Sequence, residues 1–188
     1  HDFNGKTTEL DYDAMGRLVK KVPDASLPAE ARVQVQISYT ATGQRTQMTD
    51  ASGTTQYTYD NRDRLYQKRL DFGGGQVTTL TYSYDANGNL SHTVSSDANG
   101  VDTTCNWDEA NRLQEVNRGV SGKNTKYTYD NAGNLQVVAY PNLATTTYNY
   151  NTLNRLTDMS IVKSTTTLAT FNYNPTGHTL GKTGIRRG

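Results

Sequence analysis

The chain has 188 residues, with 19 Lys and Arg against 18 Asp and Glu, a formal net charge of +1. That balance leaves no electrostatic footprint for nucleic acid, and no apolar run approaches the roughly 18 residues that span a bilayer. The hydrophobic share of 34% is low for a globular domain, but 13 tyrosines and a steady supply of Thr and Val favour strands over disorder.

In chain order, one short phrase keeps returning: "LDYDAMGRL" at Leu10, "YTYDNRDRL" at Tyr57, "YSYDANGNL" at Tyr82, "YTYDNAGNL" at Tyr127. Aligned on its second aromatic, the phrase places Tyr12, Tyr39, Tyr59, Tyr84, Trp107, Tyr129, Tyr150 and Tyr173 in one column, with a mean period of 23 residues. Two residues earlier stand Leu10, Ile37, Tyr57, Tyr82, Cys105, Tyr127, Tyr148 and Phe171, all apolar. A spacing of two puts both columns on one face of a strand. A turn follows each time. Its fourth position holds Gly16, Gly43, Asp63, Gly88, Asn111, Gly133, Asn154 and Gly177, only the residue types that tolerate positive φ at low cost. A type I turn closed by a glycine bulge makes each phrase the tip of a hairpin.

That geometry pairs Tyr12 with Leu18, Tyr59 with Leu65, Tyr84 with Leu90, Trp107 with Leu113, Tyr129 with Leu135 and Tyr150 with Leu156, each pair contributing about 0.2–1 kcal/mol. On the opposite face Asp13 meets Arg17, Asp60 meets Arg64 and Asp108 meets Arg112. These pairs are expected to be exposed, to contribute well under about 1 kcal/mol, and to serve register and solubility. Between the phrases, Asp50 to Gly53, Gly73 to Gly75, Asp97 to Gly100, Asn117 to Gly119 and Pro141-Asn142 mark the opposite returns. The stretch from Pro23 to Ala31 reads as a loop with one helical turn. The expectation is an all-β antiparallel meander of about sixteen short strands: repeated hairpins forming a curved or spiralling strip, one repeat region over 1–188. The start at His1 rather than Met is that of an internal piece of a longer protein.

No constellation that could carry chemistry stands apart from the repeat. Cys105 occupies an apolar column position, so it reads as packing and not as a nucleophile with His92 as base. One cysteine excludes an internal disulfide framework and a cysteine zinc site. His1, His92 and His178 lack ligand spacing. "GHTLGKTG" is one residue short of a phosphate-binding loop and has no helix after it. "DANGVD" from Asp97 offers at most a weak surface calcium site, lacking the loop's later Glu. "DFG" at Asp71 has no other kinase element, and Asn89-Leu90-Ser91 is a glycosylation sequon only in a eukaryotic secretory setting. The expectation is a non-enzyme with no cofactor and no metal.

The phrase Y-x-Y-D-x-x-G-[RN]-L resembles the YD repeat of the Rhs family. Tyr127, Tyr129, Asp130, Gly133, Asn134 and Leu135 match it, as do Tyr82, Tyr84, Asp85, Gly88, Asn89 and Leu90, and the likeness runs from about Leu10 to Thr179. Thr40 and Arg45 depart from it in the second unit, and Asn174-Pro175 and Thr179 in the last. The resemblance implies a ribbon of hairpins that spirals into a hollow shell, which in toxin members encloses a C-terminal effector. It also implies a bacterial secreted or cell-surface setting, with the rest of the shell and an enclosed polypeptide as partners. A carbohydrate-binding or adhesin module, using exposed aromatic rows, is the alternative. Burial of those rings separates the two.

Overall fold

The computed structural model describes residues 5–119, 123–174 and 179–184. The turn residue Gly177, with His1 and His178, lies outside them. Two compact units divide the chain, His1–Ser83 with Thr93–Val101 and Tyr84–His92 with Asp102–Gly188.

The first unit contains β1 (Glu9–Tyr12), β2 (Leu18–Val22), β3 (Val35–Tyr39), β4 (Arg45–Asp50), β5 (Gly53–Tyr59), β6 (Leu65–Asp71), most of β7 (Val77–Tyr84) and the end of β8 (Leu90–Ser95). Each strand from β1 to β7 pairs antiparallel with the next. A single turn of 3-10 helix, Ala29–Ala31, sits in the proline-bearing loop between β2 and β3. The second unit contains β9 (Asp102–Trp107), β10 (Leu113–Asn117), β11 (Asn124–Tyr129), β12 (Leu135–Ala139), β13 (Ala144–Tyr150), β14 (Leu156–Lys163), β15 (Thr166–Tyr173) and β16 (Thr179–Gly184). They follow the same antiparallel order. The fold is the all-β meander of hairpins that the period-two pattern demands.

Burial comes from rows across neighbouring strands and not from a thick core. In the second unit Val138 faces Thr146, Thr146 faces Ile161 and Ile161 faces Ala169. Val138 and Thr146 are the most enclosed, at 4% exposure. In the first unit Met48, Thr55 and Leu70 form the matching row. Threonine suits these places because its branched side chain packs on a pleated surface. No large side chain is fully buried among the described residues.

Each hairpin closes as the turn chemistry requires. Asp60 N–H bonds the Arg64 carbonyl at 2.8 Å and Asp63 N–H bonds the Asp60 carbonyl at 3.0 Å. The fourth turn position is left-handed at Gly16, Gly43, Asp63, Gly88, Asn111, Gly133 and Asn154, with φ from 56° to 95°. Tyr12, Tyr59, Trp107, Tyr129 and Tyr150 face Leu18, Leu65, Leu113, Leu135 and Leu156. Immediately past that pair the return strand carries a second extra residue. Thr58 faces Gln67 while Tyr59 faces Leu65, so Tyr66 is bulged out and stands 49% exposed.

Gly133→Val should destabilise the protein by about 1–3 kcal/mol, through left-handed strain in a β-branched residue. Space is no obstacle, since an added Cβ would meet only Arg112 Nη1, at 3.8 Å. Gly133→Asn should cost far less, because Asn111 and Asn154 already hold that conformation. Urea titration of both variants checks the difference.

Candidate functional site: the hairpin-to-hairpin seam

Five of the repeat aromatics are tied to the preceding hairpin, whereas Tyr12, in the first strand, is 56% exposed. Tyr39 Oη donates to the Leu18 carbonyl at 2.8 Å, Tyr59 to Arg45 at 2.8 Å, Tyr129 to Leu113 at 2.8 Å and Tyr150 to Leu135 at 2.9 Å. Trp107 does the same with its ring N–H, to the Leu90 carbonyl at 2.9 Å. In every case the acceptor is the second residue after the turn glycine position of the preceding hairpin.

Backbone geometry explains the acceptor. Because the residue after the turn's first Asp-to-Arg pair is a non-hydrogen-bonded partner of its own aromatic, its carbonyl points outward to the next hairpin. The ladder to that hairpin stops two residues short, at Lys20–Gln36, Gln47–Gln56, Glu115–Lys126 and Val137–Thr147. A carbonyl left there would be unpaired in a half-buried seam, and the ring hydroxyl supplies the missing donor. Burial holds the Tyr59, Tyr129 and Tyr150 phenols above their ordinary value of 10.0.

A second set of bonds joins the turns. Arg17 Nη1 donates to the Thr40 carbonyl at 3.0 Å and Gln44 Nε2 to the Asp63 carbonyl at 2.6 Å. Asn89 and Asn134 Nδ2 reach Asn111 and Asn154 Oδ1 at 3.0 and 3.1 Å. The Arg17 and Arg112 guanidinium groups also lie over the Tyr39 and Tyr129 rings, at 4.7 and 4.5 Å from the centroids. Sequence reasoning missed these links. Their signal was the position after the turn's fourth residue, which holds Arg17, Gln44, Arg64, Asn89, Arg112, Asn134 and Arg155, all side-chain N–H donors.

The Asp–Arg pairs differ from the exposed pairs expected. Asp13 and Arg17 are 23% and 24% exposed, and the Asp carboxylate is part of the turn itself. Asp60 Oδ1 accepts the Arg62 and Arg64 backbone N–H groups at 2.9 and 3.0 Å while Oδ2 takes Arg64 Nε at 2.8 Å. Asp108 and Asp130 repeat the arrangement. The Arg64 side chain, with these backbone donors, lowers Asp60 to about 2. Asp13, Asp85, Asp108 and Asp130 are also lowered by bonds from the residue four positions on.

The remaining sequence candidates fall apart as a site. Cys105 is half-buried opposite Val116, and burial raises its thiol. His92 bonds Asp102 at 2.8 Å, not Cys105. Asp97 takes hydroxyl bonds from Thr78 and Ser95 at 2.9 and 3.1 Å. Among the described residues no group of three or more His, Cys, Asp or Glu could hold a metal ion. A concavity of about 600 Å³ lies beside Trp107, Glu109 and Arg112, but Trp107 N–H and Arg112 are both spent on the seam and the turn.

This is the geometry of a β-hairpin repeat whose repeated residues bind one another. The RHS repeat family matches residues 39–77 and 107–145, each match beginning on a column aromatic. Those two segments are RHS repeats, as the YD pattern indicates. No curated protein matches the chain by sequence. Solved structures share its fold. A TcdB2–TccC3–Cdc42 chain superposes with a TM-score of 0.68 at 17% identity, over 95% of this chain and 10% of its own length. The Photorhabdus luminescens Tc holotoxin pore, with a substitution in TccC3, gives 0.66 at 17% identity, over 95% and 10%. A TcdB2–TccC3–TEV chain gives 0.63 at 17%, over 94% and 11%. The chain thus spans about a tenth of the length of the solved chains it matches.

The shifted groups set a pH window. The turn aspartates have lowered folded values, so their contribution is full above their ordinary 3.8 and is lost as pH falls toward about 2. The seam tyrosines have raised values, so theirs is full below 10.0 and is lost as pH rises beyond it. Urea midpoints should therefore be flat through neutral pH and fall at both ends. A midpoint unchanged at pH about 2.5 would remove the aspartates from the turns.

Proposed function

We propose that this chain is a non-enzymatic structural segment of a bacterial RHS-repeat shell, one that encloses or presents another polypeptide such as a C-terminal toxin effector. Its setting is then secreted or at the cell surface, and its partners are the rest of the same shell and the enclosed chain. Residues 1–188 act as one repeat region within a larger shell. The observation that carries this reading is the seam. The groups repeated most faithfully, the ring hydroxyls and the turn carboxylates, are spent on the neighbouring hairpin or on the turn itself. The likeness to Tc toxin chains supports the same reading. Aromatic rings tied down in this way are poor sugar platforms, which weighs against a carbohydrate module.

A shell strip depends on its neighbours, because each hairpin fills its hydrogen bonds against the next. A chain ending at Asp60 should be largely unfolded by circular dichroism, while one ending at Tyr140 should keep its sheet. Full stability in the shorter chain would make the hairpins independent and sink the shell reading. Micromolar binding to a polysaccharide, competed by free sugar and lost on Tyr57→Ala, would replace it with the carbohydrate reading.

A further inference from the structure

The connection between β2 and β3 is the longest in the chain order of strands: twelve residues, 23–34, where the next longest have six. Its first half is tied down. Asp24 Oδ2 accepts the Thr7 backbone N–H at 2.6 Å, and Lys6 Nζ donates to Ser26 Oγ at 2.7 Å. Its second half is not. The backbone bonds there, from Ala31 N–H to the Pro28 carbonyl at 2.9 Å and from Arg32 N–H to the Ala29 carbonyl at 3.2 Å, stay inside the connection. Ala29, Glu30, Ala31 and Arg32 are all exposed. Among the described residues the Arg32 guanidinium reaches only the Ala25 carbonyl, at 3.4 Å. A backbone held by so few bonds opens locally at little cost, and exposed loops of this kind are where proteases cut.

Arginine makes the segment specific. A trypsin-like protease reads a basic side chain in an acidic pocket and takes the surrounding backbone in extended form. Arg17, Arg62 and Arg64 sit in hairpin tips of five residues, and Lys20, Arg45 and Arg69 sit in paired strands. None of these can be drawn out straight without unpairing a hairpin. Arg32 can, and the residue after it is Val33, not a proline. We propose that the Arg32–Val33 bond is a processing site for a trypsin-like protease, cut while the β1–β2 hairpin stays docked. Water adds across the peptide bond, leaving a carboxylate on Arg32 and an amine on Val33. The seam then holds the two pieces together. Tyr39 Oη on the Leu18 carbonyl at 2.8 Å and Arg17 Nη1 on the Thr40 carbonyl at 3.0 Å both run from one piece to the other. So do the ladder pairs Lys20–Gln36 and Lys21–Val35. Cleavage therefore breaks the chain without opening the sheet. This inference rests on the seam geometry and stands apart from the shell reading.

Brief trypsin treatment of the folded 188-residue chain, followed by mass spectrometry, should give fragments 1–32 and 33–188 first. The nicked protein should elute as one species in native buffer and as two in urea. Arg32→Gln, with an unchanged urea midpoint, should slow the first cut about tenfold or more, because every other site needs a larger opening. Tyr39→Phe should leave the first cut unchanged and speed the release of fragment 1–32 about fivefold, the worth of one hydrogen bond. A first cut at Arg62 or Arg118, or a rate indifferent to Arg32→Gln, overturns the processing site. Separation of the fragments as soon as they are cut in native buffer, or release indifferent to Tyr39→Phe, overturns the docked hairpin.

Discussion

One hydrogen bond organises this protein: a ring donor, on Tyr39, Tyr59, Trp107, Tyr129 or Tyr150, reaching a single carbonyl of the hairpin before it. The turn dictates that carbonyl's outward direction, and the end of the ladder leaves it empty. An unfilled backbone acceptor in a partly buried seam costs about 1–3 kcal/mol, so the donor is a requirement of the repeat and not an ornament. Trp107 shows what is required. It keeps the bond with an indole N–H, so the need is for a ring of the right reach with a donor at its edge.

The same bond accounts for the unusual composition. A chain with 34% hydrophobic residues cannot build a thick core, and here it does not try. Threonine and valine rows give each strand modest burial against its two neighbours, as with Val138, Thr146 and Thr55. Side-chain links then hold hairpin to hairpin, at the seam by Tyr and Trp and at the tips by Arg17, Gln44, Asn89 and Asn134. Turn aspartates brace the tips at Asp13, Asp60, Asp85, Asp108 and Asp130, and Thr40 and Asn151 take that place in two others. Because these links run between adjacent hairpins, the architecture extends by repetition.

Much of this was legible in the sequence. The eight aromatics at a period near 23, the left-handed turn residues and the Tyr–Leu pairs follow from strand and turn geometry alone. The seam bond was not read, although its sign was present. The second column never holds Phe, while the first accepts Leu10, Ile37, Cys105 and Phe171. A purely apolar role would have let Phe into both. The second bulge at Tyr66 and its counterparts was hidden because an extra residue inside a strand leaves no turn residue to mark it. Hidden too was the slip at β14–β15. There Asp158 faces Asn172 and Ser160 faces Thr170, two residues out of the inner register. The Ser164 return has two residues, as the β4–β5 return does, but β14 is two residues longer than β4 and Leu168 is bulged out between the Val162–Thr167 and Ile161–Ala169 pairs. Tyr173 consequently makes no seam bond among the described residues.

That slip provides an internal control. Phenylalanine removes the hydroxyl and leaves the ring, so Tyr→Phe reads the seam bond alone. Urea unfolding of Tyr129→Phe should show a loss of about 0.5–1.5 kcal/mol, whereas Tyr173→Phe, in the slipped register, should be close to neutral. If the two variants lose the same stability, or neither loses any, the hydroxyl-to-carbonyl bond does not hold the hairpins together.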